Sequence, residues 1–188
     1  MPKLYENYAY ILDYLPKGYP SERMKRSKSS VAQAVGESYF SLLEVAPRTE
    51  MEINERVFIG KGKREKVSHI KKRLFYDDLT SAAKAELPYL IAKIVKGNEE
   101  RFVTFFNNAG SLSIRFHKLQ LLPGVGKKLM SSILKERKKE KFKSFKEIDE
   151  RVSSMPDPTE MIVERIIDEL KGKDRYTVFA PLRKIKKE

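Results

Sequence analysis

The sequence predicts an α+β protein of two domains, strands first and helices second. Tyr8, Tyr10, Leu12 and Tyr14 alternate with Ala9, Ile11, Asp13 and Leu15, the two-residue period of a strand. Past residue 80 the period lengthens: Leu87, Leu90, Ile91, Ile94 and Val95 recur at helical spacing, and further helical stripes run to Gly172. The change of period divides the chain into 1–96 and 97–188. With 188 residues, each part is long enough to bury a core without a staple.

Taken in order, Tyr8–Leu15 is the first strand, with an aromatic row of Tyr8, Tyr10 and Tyr14 along one side, and Pro16-Lys17-Gly18 ends it. Ser21 to Ser30 carries Arg23, Lys25, Arg26 and Lys28 among serines and reads as a basic loop. Gln33 to Val45 is expected as a second strand stopped by Pro47, and Arg56 to Ile59 as a third. Gly60-Lys61-Gly62-Lys63-Arg64 follows as another basic loop, and Ile70 to Leu79 reads as a fourth strand ending in Asp77-Asp78, with a helix the alternative. Thr80 or Ser81 caps the first helix and Gly97 ends it. Asn98 then caps a helix over Glu99 to Phe106, where Glu99 and Glu100 suit the positive first turn. After the turn Asn107–Gly110, helices and short turns alternate to Gly172, and an extended piece, Tyr176–Pro181, leads into a basic tail, Arg183 to Lys187.

Charge sets the class of partner. Lys and Arg number 39 against 26 Asp and Glu, a net charge of +13, which favours a polyanion and nucleic acid first. There is no cysteine, and the histidines are two, His69 and His117, so no zinc ribbon, iron-sulfur cluster, thiol nucleophile or disulfide is expected. Neither metal nor cofactor is expected. No apolar run approaches the roughly 18 residues of a membrane span, and Met1 to Tyr10 lacks the apolar stretch of a signal peptide, so a cytoplasmic location without membrane contact is expected.

The most informative segment is Leu119-Gln120-Leu121-Leu122-Pro123-Gly124-Val125-Gly126-Lys127-Lys128. Pro123 sets φ for the first turn position, Gly124 can take the positive φ that follows, and Gly126 lets a phosphate approach the backbone. A helix starts there, so its first N–H groups and positive dipole end face the same spot. Lys127 and Lys128 in that first turn oppose the dipole by a few tenths to about 1 kcal/mol each, a penalty that a bound phosphate reverses. Leu129, Met130, Ile133 and Leu134 make the buried stripe behind them, and Lys135, Arg137, Lys138, Lys139 and Lys141 extend the positive field. The segment resembles the helix-hairpin-helix motif of DNA- and RNA-binding proteins, with Met130 where that motif usually has a small residue.

A second hairpin of degenerate form is legible downstream. Phe145, Ile148 and Val152 mark one helix, Met155-Pro156-Asp157-Pro158 a turn, and Ile162, Val163, Ile166, Ile167 and Leu170 another helix. Its turn lacks glycine and its helix opens with Glu160, so it is expected to pack rather than bind phosphate.

The order of strands and loops in the first half is similar to a five-stranded, oligonucleotide-binding (OB) barrel, whose exposed face stacks bases and whose loops hold phosphates. On that likeness Tyr8, Tyr10 and Tyr14 are the candidate stacking platform and Lys61, Lys63, Arg64 and Lys66 candidate phosphate contacts. Together with Gly60–Val67, Tyr76-Asp77-Asp78-Leu79-Thr80 and the Leu122-to-Gly126 hairpin, these features resemble the archaeal family catalogued as domain of unknown function 655, from about Tyr8 to Pro181. The resemblance implies an OB-like β-barrel followed by an all-α helix-hairpin-helix domain with nucleic-acid binding and no established reaction.

Enzyme chemistry finds little support. A helix-hairpin-helix DNA glycosylase or lyase would use a lysine where Lys128 stands, but the aspartate that follows in such enzymes is missing, since Asp149 sits on a charged helix face among Glu147, Glu150 and Arg151. Asp77-Asp78 is the one adjacent aspartate pair, which is too little for a metal-dependent nuclease. Gly124-Val125-Gly126-Lys127 lacks the first glycine and the Ser/Thr of a nucleotide-binding loop. The expectation is a non-catalytic protein that holds RNA or DNA backbone phosphates, RNA before DNA, through Pro123, Gly124, Val125, Gly126, Lys127 and Lys128. A repair enzyme, or an adaptor associated with the ribosome or translation machinery, is the alternative.

Overall fold

Strand β1, Tyr8–Leu15, keeps its alternation only as far as Ile11. In a computed structural model that describes residues 5–19 and 29–181, β1 pairs antiparallel with β2, Val31–Gly36, and the register shifts between Ile11 and Asp13. Tyr10 lies opposite Val35 and Asp13 opposite Gln33, whereas Ile11 and Tyr14 lie opposite Ala34 and Ala32. The bulge therefore exchanges the faces: Tyr14 packs on the core with Ala9, Ile11, Ala32 and Ala34, and Tyr10 is on the other side. The single aromatic row expected along this strand does not form.

Three further strands complete the sheet: β3, Leu42–Pro47, β4, Arg56–Phe58, and β5, Val67–Arg73. The order is β4-β1-β2-β3-β5, all antiparallel, a curled five-stranded half-barrel of OB-like form. Its interior is filled by small and β-branched side chains, Ala32, Ala34, Val45, Val57 and Val67, joined by Ile59, Leu43 and Met51. β2 is buried along its whole length and β3 up to Ala46, so both lie covered on both faces.

Gln33 to Val45, expected as one strand, is two. Gly36 approaches Glu6 so closely that a Cβ there would lie 2.2 Å from the carboxylate carbon. The buried Glu6 carboxylate accepts N–H bonds from Ser38 (2.8 Å), Tyr39 (3.0 Å) and Ser41 (3.2 Å). Phe40, held at φ 55° with its side chain fully buried, finishes the reversal. The fourth expected strand also differs. It starts earlier, at Val67, and stops at Arg73, and Tyr76–Asp78 forms a 3₁₀ turn in which Asp78 Oδ2 accepts the Phe75 N–H at 2.9 Å.

Helix α1, Ser81–Gly97, is capped by Thr80, whose Oγ1 accepts the Ala83 N–H at 3.0 Å and donates to Asp13 Oδ2 at 2.6 Å. Gln33 completes this junction, accepting the Thr80 N–H at 2.9 Å and donating to the Tyr19 hydroxyl at 3.0 Å, which itself donates to Glu44 at 2.6 Å. Burial and the Glu44 carboxylate push the Tyr19 phenol far above its ordinary range, so it stays a donor. Helix α2, Glu99–Asn108, follows. Asn98 does not cap it: its side chain turns back to donate to Ile94 O at 3.1 Å and closes α1 instead.

A short hairpin, β6 (Ser111–Ser113) and β7 (Phe116–His117), stands where only helices and turns were expected. Helices α3, Lys127–Lys139, α4, Phe145–Arg151, and α5, Pro158–Leu170, complete the order. The chain forms two compact units, one reaching to Leu90 and resuming at Glu169, the other Ile91–Asp168. The second crossing, at Asp168/Glu169, is absent from the division into 1–96 and 97–188. In the first unit the fully buried Glu169 carboxylate accepts N–H bonds from Val178 (2.7 Å), Phe179 (2.9 Å) and Ala180 (2.7 Å), so the segment expected to be extended is tied down by one side chain. The basic residues Arg23, Lys25, Arg26 and Lys28, and the tail Arg183 to Lys187, lie outside the described residues.

Candidate nucleic-acid interface

Leu122 to Val125 closes a tight turn with Pro123 in its second position and Gly124, at φ +77°, in its third, and Val125 N donates to Leu122 O at 3.1 Å. Leu122 and Val125 are buried, which anchors the turn from below, while Gly124, Gly126, Lys127 and Lys128 are exposed. A single 3₁₀ turn, Lys118–Leu121, precedes it in place of a full helix. Arg165, buried on α5, donates to Leu121 O at 3.1 Å and fixes that turn from behind.

The start of α3 is chemically distinct. Its cap residue, Gly126, has no side chain to offer, and the first helical bond runs from Met130 N to Gly126 O at 3.0 Å. The N–H groups of Lys127, Lys128 and Leu129 are left without an acceptor among the described residues. The other helices are served differently. Thr80 caps α1, Ser144 Oγ accepts the Glu147 N–H of α4 at 3.1 Å, and Asp157 Oδ1 accepts Thr159 N (2.7 Å) and Glu160 N (3.0 Å) of α5. Helix α2 opens with Glu99 and Glu100, and the Glu99 carboxylate accepts the N–H of Phe145 at the start of α4. The degenerate hairpin before α5 thus carries its own carboxylate where an anion would sit, while the hairpin before α3 presents two lysines and amides that meet no acceptor among the described residues.

Behind the hairpin, Lys135, Lys138 and Lys141 are exposed and pair with no carboxylate among the described residues. Two expected members of that field have structural duties: Arg137 donates to Phe106 O at 2.9 Å and Lys139 pairs with Glu136 at 2.6 Å. Burial lowers the pKa of the Arg137 guanidinium. Arg151, one of the charges on the helix face around Asp149, donates to Glu136 O (2.6 Å) and Glu140 O (2.7 Å) and closes the C-terminal end of α3. Nothing in the local sequence marks Arg151 or Arg165, because the carbonyls they serve lie on other elements.

The two hairpin glycines make separable predictions. Gly126 has φ −80° and open space where a Cβ would stand, so Gly126→Ala leaves denaturant stability within about 1 kcal/mol. Gly124→Ala forces a side chain into the left-handed region and lowers stability by about 1–2 kcal/mol, read from the urea midpoint.

His117 supports the same turn as a neutral ring. Its Nδ1 accepts the Leu119 N–H at 3.1 Å, and Gln120 Oε1 accepts the His117 N–H at 3.0 Å. Burial, then the charge of Arg137, holds its pKa below the ordinary 6.5. With the folded pKa depressed, the unfolded chain binds the proton more readily, so the stabilisation is full above about pH 6.5 and lost as pH falls through the folded value. His117→Asn, which keeps an acceptor, flattens the dependence of the urea midpoint on pH between about 7 and 5.

In the first unit, Lys61, Gly62 and Lys63 are exposed, and Gly62 has φ +122°. Lys61 lies 5.3 Å from the Tyr5 ring centroid, and Arg64 folds back to donate to Gly60 O at 2.9 Å, closing the loop. Gly60 is buried, and a Cβ there would stand 2.6 Å from Asn7 Oδ1, so packing accounts for this glycine. Tyr10 is buried, its phenol pushed up by burial and by Glu37. Beside it Arg56 stacks 3.5 Å over Tyr8 and forms a bidentate pair with Glu37 at 3.1 and 2.8 Å. The structure therefore gathers Pro123 to Lys128 on one turn and Lys61, Lys63 and Arg64 on another, and separates Tyr10 from Tyr14.

Among the described residues no helix is long and apolar enough to cross a membrane. The family model described as "Protein of unknown function (DUF655)" matches residues 5–181. The chain is 42% identical over 187 residues to "Uncharacterized protein MJ0038" of Methanocaldococcus jannaschii, covering 97% of this chain and 83% of that protein. It superposes on the crystal structure of Af1531 from Archaeoglobus fulgidus with a TM-score of 0.86 at 48% identity, covering 94% of this chain and all of the other. With a half-barrel and a helical unit in the expected order and a family match along almost its whole length, the chain belongs to the DUF655 family.

Proposed function

We propose that this protein is a non-catalytic nucleic-acid-binding protein, its ligand RNA before DNA, and that Leu119 to Lys128 acts as a helix-hairpin-helix phosphate clamp. The observation that carries the reading is the start of α3: three amides without acceptors among the described residues, a cap residue without a side chain, and Lys127 and Lys128 in the first turn. In an unliganded helix those lysines are placed against the dipole, and a backbone phosphate reverses the sign of the interaction. Amides and lysines hold phosphates without reading bases, so the hairpin supplies affinity and any base preference comes from the other unit. An OB-like half-barrel followed in sequence by a helical unit is an architecture that nucleic-acid-binding proteins use, and single strands are a common ligand of the OB type.

Fluorescence anisotropy with labelled single-stranded RNA, ribosomal RNA fragments and duplex DNA across a salt series tests this. The expected result is tighter binding to RNA with a log-linear loss of affinity as salt rises. Strongest binding to the ribosomal fragments places the protein with the translation machinery. Weak binding to all three, unaffected by salt, overturns the proposal.

A further inference from the structure

β5 carries Lys71, Lys72 and Arg73 along an outer strand of the sheet, Lys72 opposite Glu44 on one face and Arg73 opposite Leu43 on the other, and then delivers Leu74 and Phe75 to the mouth of a cavity of about 80 Å³. Lys71 reaches Ser29 Oγ at 3.5 Å and Lys72 lies 3.7 Å from Glu44, a loose pair with Lys72 half in solvent. The cavity belongs wholly to the first unit and is lined by Tyr39, Ser41, Arg73 and Phe75 together with Leu42 and the returning C-terminal segment at Ala180. Phe75 is 50% exposed, a large apolar ring at the rim that burial does not account for. No hydrogen bond engages the hydroxyls of Tyr39 and Ser41 among the described residues.

We infer that this cavity takes the edge of one nucleobase of a single strand, stacked on Phe75, while Arg73 in the cavity wall meets the phosphate leading to it. The inference rests on the nucleic-acid reading above and adds a second contact site, on the half-barrel, together with the class of strand it accepts. Three features select this occupant. Arg73 at the cavity and the net charge of +13 call for a polyanion, the exposed ring calls for a flat apolar partner, and the two hydroxyls can donate to or accept from a base edge. A duplex keeps its bases stacked inside and cannot offer one to a rim phenylalanine. Phe75, Tyr39 and Arg73 lie outside every motif singled out from the sequence, because they come together only when β3, β5 and the C-terminal segment do.

The test uses the full chain and a labelled oligouridine of about twelve nucleotides, within the site sizes of single-strand binders, beside a duplex of equal length. Phe75→Ala is expected to weaken oligouridine binding roughly 5- to 150-fold, the equivalent of about 1–3 kcal/mol of stacking, and to leave duplex binding unchanged. Phe75→Tyr, which keeps the ring, is expected to bind like wild type. Because Phe75 is half exposed, neither change threatens the core, and the circular dichroism melting curve of each variant checks this. Oligouridine binding by Phe75→Ala equal to that of wild type overturns the inference, and if the Lys127→Glu, Lys128→Glu protein is weakened in the same series the hairpin reading survives it. Failure of the wild-type protein to bind any nucleic acid overturns both.

Discussion

Lys127→Glu combined with Lys128→Glu weakens binding to RNA and DNA alike, by about 100-fold at low salt if each lysine contributes one charge-assisted phosphate contact of roughly 1.5 kcal/mol or more. Both side chains are exposed at the start of α3, and neither has a carboxylate partner among the described residues, so the protein loses no internal bond when they are changed. The glutamates also suit the positive end of the helix better than lysine does, which favours folding by a few tenths of a kcal/mol each. Stability and affinity therefore move in opposite directions, a combination that general unfolding does not produce. The slope of log affinity against log salt falls by about 0.7 per lost contact for single strands and about 0.9 for duplex. Anisotropy titrations at several salt concentrations read both quantities, and a double variant that matches wild type in both would show that the hairpin only packs.

Glu169→Ala unfolds the first unit more readily, by at least about 3 kcal/mol, because the N–H groups of Val178, Phe179 and Ala180 lose their shared acceptor at once. Phe179 and Ala180 are buried, so water cannot replace the carboxylate cheaply. Glu169→Gln keeps one carbonyl oxygen and loses less. Urea denaturation followed by circular dichroism separates the three proteins, and an Ala variant as stable as wild type would mean that the returning segment contributes nothing to the unit. The same substitution bears on the cavity beside Phe75, since Glu169 and Ala180 form part of its wall.

The pattern of side chains along the chain was enough to determine strands before helices, the start and end of α1 and the Pro123-Gly124 turn. These depend on local causes: a two- or four-residue apolar period, a threonine at a helix start, and a proline and glycine at fixed turn positions. The degenerate hairpin between α4 and α5 was legible for the same reason, and the structure adds that Asp157 occupies the amides an anion would need. Only the tertiary structure decided the rest. The bulge between Ile11 and Asp13 puts Tyr10 and Tyr14 on opposite faces, and strand periodicity cannot register an inserted residue. The break of the second strand depends on Glu6, some thirty residues away from the turn it holds, with Gly36 as its faint local trace. Arg151, Arg165 and Glu169 likewise serve backbone groups of distant segments, a role set by where the chain returns rather than by the residues beside them. A carboxylate or guanidinium in a helix reads as a solvated face until the fold brings unsatisfied carbonyls and amides to it.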